Sequence, residues 1–149
     1  MTTVTSPLAG RVVGLGSVPD PVFSGAMVGP GTAVDPVREP CDALAPVDGV
    51  LVSLHPHAFV VVDGEGHGVL VHLGIDTVQL GGRGFDLLRA KGETVRRGDA
   101  LVRWNPAAVE EDGKSPVTPV VALDGTADAL TGLSDGVVVR AGETLFTWD

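Results

Sequence analysis

The sequence predicts an all-β protein, an antiparallel β-sandwich or barrel with an internally duplicated motif and only short helical turns. Three observations carry that expectation. Short β-branched runs recur along the 149 residues: "RVVGL", "GVLVSL", "AFVVV", "GVLVHL", "ALVRW" and "GVVVR". They are punctuated by 21 Gly and 11 Pro, the residues that end strands and build turns. Helical spacing of apolar residues is weak throughout.

In chain order, "SPLAGRVVGL" (Ser6 to Leu15) comes first, and "APVDGVLVSL" (Ala45 to Leu54), 39 residues on, repeats its Pro, Gly and alternating apolar positions. A second pattern, Gly followed by two residues and an apolar strand, occurs in "VGPGTAV" at Val28, "RGDALVRW" at Arg97 and "AGETLFTW" at Ala141. Repeated hairpin-like units imply a duplicated sandwich. The helix candidates are "FDLLRA" (Phe85 to Ala90) and "PAAVEED" (Pro106 to Asp112), each a turn or two long. A chain of this length is expected to form one domain, residues 1–149, around a modest core.

Composition narrows the function. Hydrophobic residues make up 44% and charged residues 19%, so the chain should fold rather than stay disordered. Ten Lys and Arg against 19 Asp and Glu leave a net charge of −9, which disfavours nucleic acid and anionic membrane surfaces as partners. Cys41 is the only cysteine, which rules out an intrachain disulfide and fits a reducing cytosol. Neither a signal peptide, a membrane span nor an anchoring helix ahead of Pro7 is indicated, so a cytoplasmic location is expected.

All four histidines fall within "HPHAFVVVDGEGHGVLVH": His55, His57, His67 and His72. The "DGEG" at its centre is a Gly-bearing turn of the kind that joins antiparallel strands. If the loop has even length, His57 stands directly opposite His72, with Cβ atoms about 5 Å apart. That register puts Phe59, Val61, Gly68 and Leu70 on the histidine face, and Ala58, Val60, Val69 and Val71 on the other. A three-residue loop would shift it by one. Two facing imidazoles fit a hydrogen-bonded structural pair, a metal site with zinc on His57 and His72, or nucleophilic catalysis in which one ring attacks and the other stabilises charge.

The segments "APVDG", "HPHAF" and "VLVHLGIDTVQL" resemble the glucose-type IIA component of the bacterial phosphoenolpyruvate-dependent sugar phosphotransferase system. "SPLAGRVVGLGSVPDPVFSGAMVGPGTAVDP" and "TPVVALD" extend the likeness in consistent order from Ser6 to Thr147. The resemblance implies a phosphotransferase component in which His72 carries the phosphoryl group and His57 helps to move it onward. It implies two partners in turn: the histidine-containing phosphocarrier protein as donor, and the cysteine of a IIB sugar-permease domain as acceptor. Regulated transporters or kinases are further candidate partners. No cofactor is required, although the histidine pair of this family can bind zinc in a partner complex.

By the same resemblance, Phe23, Val22, Phe59, Leu70 and Val78 form an apolar docking face, with Asp20 and Asp76 as acidic neighbours. Docking of several partners in succession on one face suggests a monomer. The sequence departs from the family's pattern at His55, where a threonine usually stands, and at Leu70, where many members have phenylalanine. Cys41 is expected in a loop, unrelated to the phosphocysteine of the separate IIB domain. A zinc peptidase of the lysostaphin type is the rival, because "HPH" and "HLGID" supply His-x-His and His-x-x-x-Asp; the two motifs stand here in the reverse of that family's order. A non-catalytic docking module is the third reading.

Overall fold

The computed structural model describes residues Met1–Asp149. Runs bounded by Gly and Pro become strands because alternation lets each bury one set of side chains while its backbone groups pair with neighbours. In chain order these are β1 (Thr2–Thr5), β2 (Gly10–Val13), β3 (Gly31–Pro36), β4 (Cys41–Leu44), β5 (Gly49–His55), β6 (Ala58–Val62) and β7 (Gly68–His72). There follow β8 (Phe85–Leu87), β9 (Thr94–Val95), β10 (Ala100–Trp104), β11 (Thr118–Ala122), β12 (Leu130–Thr131), β13 (Val138–Val139) and β14 (Thr144–Trp148). Helix is confined to α1 (Pro21–Ser24), α2 (Pro106–Glu111) and three 3-10 turns.

All pairings are antiparallel. An eight-stranded sheet runs β13-β2-β3-β11-β7-β6-β5-β9, and two three-stranded sheets run β1-β14-β12 and β4-β10-β8. A core of 27 buried residues holds the sandwich together. No helix is long and apolar enough to cross a membrane.

The duplication read from the sequence is present as an approximate twofold arrangement. The large sheet reads the same from either edge when β13 is matched with β9, β2 with β5, β3 with β6 and β11 with β7. Gly10 and Gly49 occupy matching positions, and each is required by close approach. A Cβ would lie 2.2 Å from the Asp35 carbonyl oxygen in one case and 2.0 Å from that of Val62 in the other. The halves also clasp one another reciprocally: the Thr5 N–H donates to the Pro46 carbonyl at 2.9 Å, and the Leu44 N–H to that of Pro7 at 3.0 Å.

Three sequence expectations change. "RGDALVRW" and "AGETLFTW" are equivalent, leading into β10 and β14, but "VGPGTAV" enters β3 of the large sheet and is not a third copy. "FDLLRA" starts with β8 rather than a helix, because Phe85 stacks on Trp104 at 5.8 Å and β8 pairs with β10. Tertiary packing overrides a weak local preference there. Cys41 opens β4 instead of lying in a loop, paired with Trp104. Burial, followed by the charges of Asp42 and Glu39, pushes its thiol up to about 11.

"PAAVEED" does form α2, capped by the Asn105 side chain, which accepts from the Ala107 N–H at 3.1 Å. On the outer face of the large sheet the segment between β2 and β3 makes a second, smaller core. Leu15, Val18 and Phe23 pack there on Ala33, Ile75 and Val121.

Candidate functional site

The β6–β7 hairpin closes through an odd-length loop. The Asp63 N–H donates to the His67 carbonyl at 3.0 Å, leaving Gly64, Glu65 and Gly66 between them. The Asp63 carboxylate accepts from the Glu65 and His67 N–H groups at 3.0 and 2.9 Å, and Gly66 takes the left-handed φ of +83° that this turn needs. Ala58 therefore pairs with His72, one position away from the register that an even loop would give.

The shift turns the β6 residues over relative to β7. Ala58, Val60 and Leu70 share the outer face with His72, while Phe59, Val61, Val69 and Val71 are wholly buried in the main core. Phe59 was expected on the docking face and is instead a core residue.

His57 still meets His72, by a different route. His55 pairs with Ala58, so Pro56 and His57 form the two-residue turn between β5 and β6. Strict alternation ends at a turn, which frees the His57 ring from the inward side. Its centroid lies 5.2 Å from that of His72 at an interplanar angle of 72°. The His57 carbonyl accepts from the Leu73 N–H at 2.7 Å, tying the turn to the end of β7.

His72 is held from several sides. Its Nδ1 lies 2.5 Å from the Gly74 carbonyl oxygen. A carbonyl only accepts, so Nδ1 carries the proton and Nε2 is left with a free lone pair. The Phe23 ring packs against it at 5.2 Å and 57°. Burial lowers the His72 pKa below the ordinary histidine value, opposed by the bond to Gly74 and the charges of Asp20 and Asp76. His57 is also lowered, by burial first and then by His72 and His55. Both rings are thus neutral at pH 7, and a neutral imidazole is a nucleophile.

The surroundings divide into walls and rim. Asp20 caps α1, its carboxylate accepting from the Val22 N–H at 2.9 Å, and it also supplies negative field to His72. Phe23, 7% exposed, is a wall behind His72. Val22, beside Phe23 in α1, and Val78, in the 3-10 turn that follows Asp76, are exposed at 41% and 60%. Leu70 is half-buried against the smaller core, and Asp76 is exposed with a left-handed φ of +59°. His55 is exposed, with its ring 5.8 Å from that of His57. Sequence reasoning did not single out Gly74 as the residue whose carbonyl orients His72, for which no side-chain signal exists, and it missed α1.

A family model described as "phosphoenolpyruvate-dependent sugar phosphotransferase system, EIIA 1" matches residues 2–127. The chain belongs to this EIIA family. A glucose-specific EIIA component of Bacillus cereus is 35% identical over 144 residues, covering 95% of this chain and 86% of the relative. One from Haemophilus influenzae is 41% identical over 116 residues, covering 76% and 69%. The solved structure of glucose permease IIA from Mycoplasma capricolum superposes with a TM-score of 0.88 at 32% identity, covering 97% of this chain and 93% of that one.

EIIA components are phosphotransferases with a phosphohistidine intermediate, and this one is a phosphoryl carrier of sugar transport. Membership also implies interaction with phosphocarrier and IIB components. The peptidase and pure docking readings are not favoured. His55, His57, His72 and Asp76 do not converge as three ligands; the one set of three that does is Asp63, Glu65 and His67, at the far end of the hairpin.

Proposed function

We propose that Nε2 of His72 accepts a phosphoryl group from the histidine-containing phosphocarrier protein and passes it to the cysteine of a IIB sugar-permease domain. The observation that carries this is the bond from His72 Nδ1 to the Gly74 carbonyl, which leaves Nε2 as the nucleophile beside His57. In the transfer the donor's phosphorus–nitrogen bond breaks as the bond to Nε2 forms. Nδ1 keeps its proton and donates it in the hydrogen bond to the Gly74 carbonyl, whose dipole offsets the positive charge that develops on the ring. His57 donates an N–H to the phosphoryl oxygens, whose charge spreads during an in-line displacement.

Val22 and Val78 form the exposed apolar contacts of the docking rim, with Leu70 between the rim and the smaller core. Asp20 and Asp76 complement basic groups on the donor. Each partner takes the same patch in turn, as a monomeric cytoplasmic carrier requires. No cofactor enters the transfer. His57 and His72 supply two imidazole ligands, so zinc would bind there only where a partner completes the coordination.

The test is to incubate the chain with phosphoenolpyruvate, enzyme I and the phosphocarrier protein and to locate acid-labile phosphate. Label on His72 that is absent from His72→Gln, and that reaches His57→Gln but cannot leave for a IIB domain, is the expected result. Unchanged labelling of His72→Gln overturns the proposal.

A further inference from the structure

The outer face of β5 to β7 carries an open groove of about 620 Å³, floored by Val52, Val60, Val62 and Gly68 and walled by Leu123 and Trp148. His67 stacks on the Trp148 indole at 4.0 Å and 8°, fixing one wall. Asp124 and Asp149 also line it, and no Lys or Arg does. Val52, at the irregularity between Leu51 and Ser53 of β5, is 41% exposed and adds to the apolar floor.

The other half of the molecule shows what covers such a face. The pair Val12–Val34 matches Leu51–Val61, so Ala33 corresponds to Val60. Thr118–Val34 likewise matches Val69–Val61, so Val117 corresponds to Gly68. Ala33 and Val117 lie under Leu15, Val18 and Phe23, which a 3-10 turn and a one-turn helix deliver. Between β5 and β6 the connection is only Pro56 and His57, and it supplies no cover.

We propose that this groove docks a short helical segment of a partner protein, apolar toward the sheet and basic at its flanks. The apolar floor matches a segment like the one that seals the other half. The basic flanks follow from Asp124 and Asp149 on a chain of net charge −9. The occupant is distinct from a phosphoryl donor. The groove runs from Val60, which pairs with Leu70 two residues before His72, to Gly68, four residues before it and about 13 Å away at 3.3 Å per residue, and its lining includes neither histidine of the pair nor any residue of its rim.

The probe is a synthetic peptide copying residues 14–28 with two lysines added at each end, titrated into the ¹⁵N-labelled chain. Saturable shifts at Val52, Val60, Val62 and Gly68 are expected, with about tenfold weaker binding to Val60→Lys and about threefold weaker to Asp124→Asn. A Glu-flanked peptide should bind at least tenfold more weakly, and phosphoryl uptake by His72 should proceed unchanged with the Lys-flanked peptide bound. Because uptake is read separately, failure of the docking idea and failure of the carrier reading are distinguishable. Absence of groove shifts at millimolar peptide, equal binding of the two peptides, or shifts confined to His57 and His72 or to Ala33 and Val121 would overturn the proposal. So would a concentration-dependent dimer abolished by Val60→Lys, which would make the occupant a second copy.

Discussion

The two halves of the large sheet share a strand order, and one of the connections in which they differ governs the site. Between β2 and β3 the chain spends residues 14–30 on a cover for the outer face; between β5 and β6 it spends only Pro56 and His57. By the register that matches Thr118 with Val69, the counterpart of His72 is Val121, which is wholly buried beneath Leu15, Val18 and Phe23. A long connection seals its half. The short one leaves its half open and puts a second imidazole at its tip. A repeated scaffold thus becomes a site where cover is withheld, not where the framework changes.

The sharpest way to break that comparison is to exchange the two counterparts. His72→Gln should lose all acid-labile phosphate while keeping its fold, read by labelling and circular dichroism. Val121→His should gain no label and lose about 2–4 kcal/mol in urea unfolding, because an imidazole there is buried without a partner. Label on Val121→His would mean that the cover does not decide accessibility.

The faces of the hairpin come next. Phe59→Ala should cost about 3–5 kcal/mol in urea unfolding, as an emptied aromatic core position does, and Leu70→Ala on the half-buried outer face about 1 kcal/mol. Equal costs would contradict the observed register.

A smaller effect is set by pH. Burial lowers His57 and His72, so phosphoryl uptake should stay flat down to about pH 6.5 and fall only below it. The same shift affects stability. The unfolded chain binds more protons between the depressed folded pKa and the ordinary one, so the contribution is complete above about pH 6.5 and is lost as pH falls through the folded value. Asp20→Asn keeps a cap but removes a charge that raises His72, and it should move the fall in uptake to lower pH. A profile shifted the other way would exclude Asp20 as a source of field at His72. Smallest is the cap itself: Asp20→Ala should cost about 1 kcal/mol, measured by thermal unfolding.

How much of this was legible in the sequence depended on whether the signal was local. The Gly10 and Gly49 echo was legible because both glycines answer the same steric demand. The helix α2 was legible from Asn105 and Pro106, residues whose chemistry marks a helix start. The hairpin register was not, because "DGEG" supports loops of either parity; the choice fell to the Asp63 carboxylate and to Gly66. Phe59 was misplaced by that one step. "FDLLRA" was misread because its strand identity comes from Trp104, distant in sequence.

By itself the sequence determined the β class and the duplication, which are written in residue type and spacing, and its resemblance to the EIIA family singled out the two histidines. Tertiary structure alone decided which face each hairpin residue occupies and which nitrogen of His72 is free. It also decided which half is sealed. The physical reason is common to all three. They depend on a loop's hydrogen bonds, on a backbone carbonyl that every residue possesses, and on a segment packing across strands, and none of these leaves a mark in local composition.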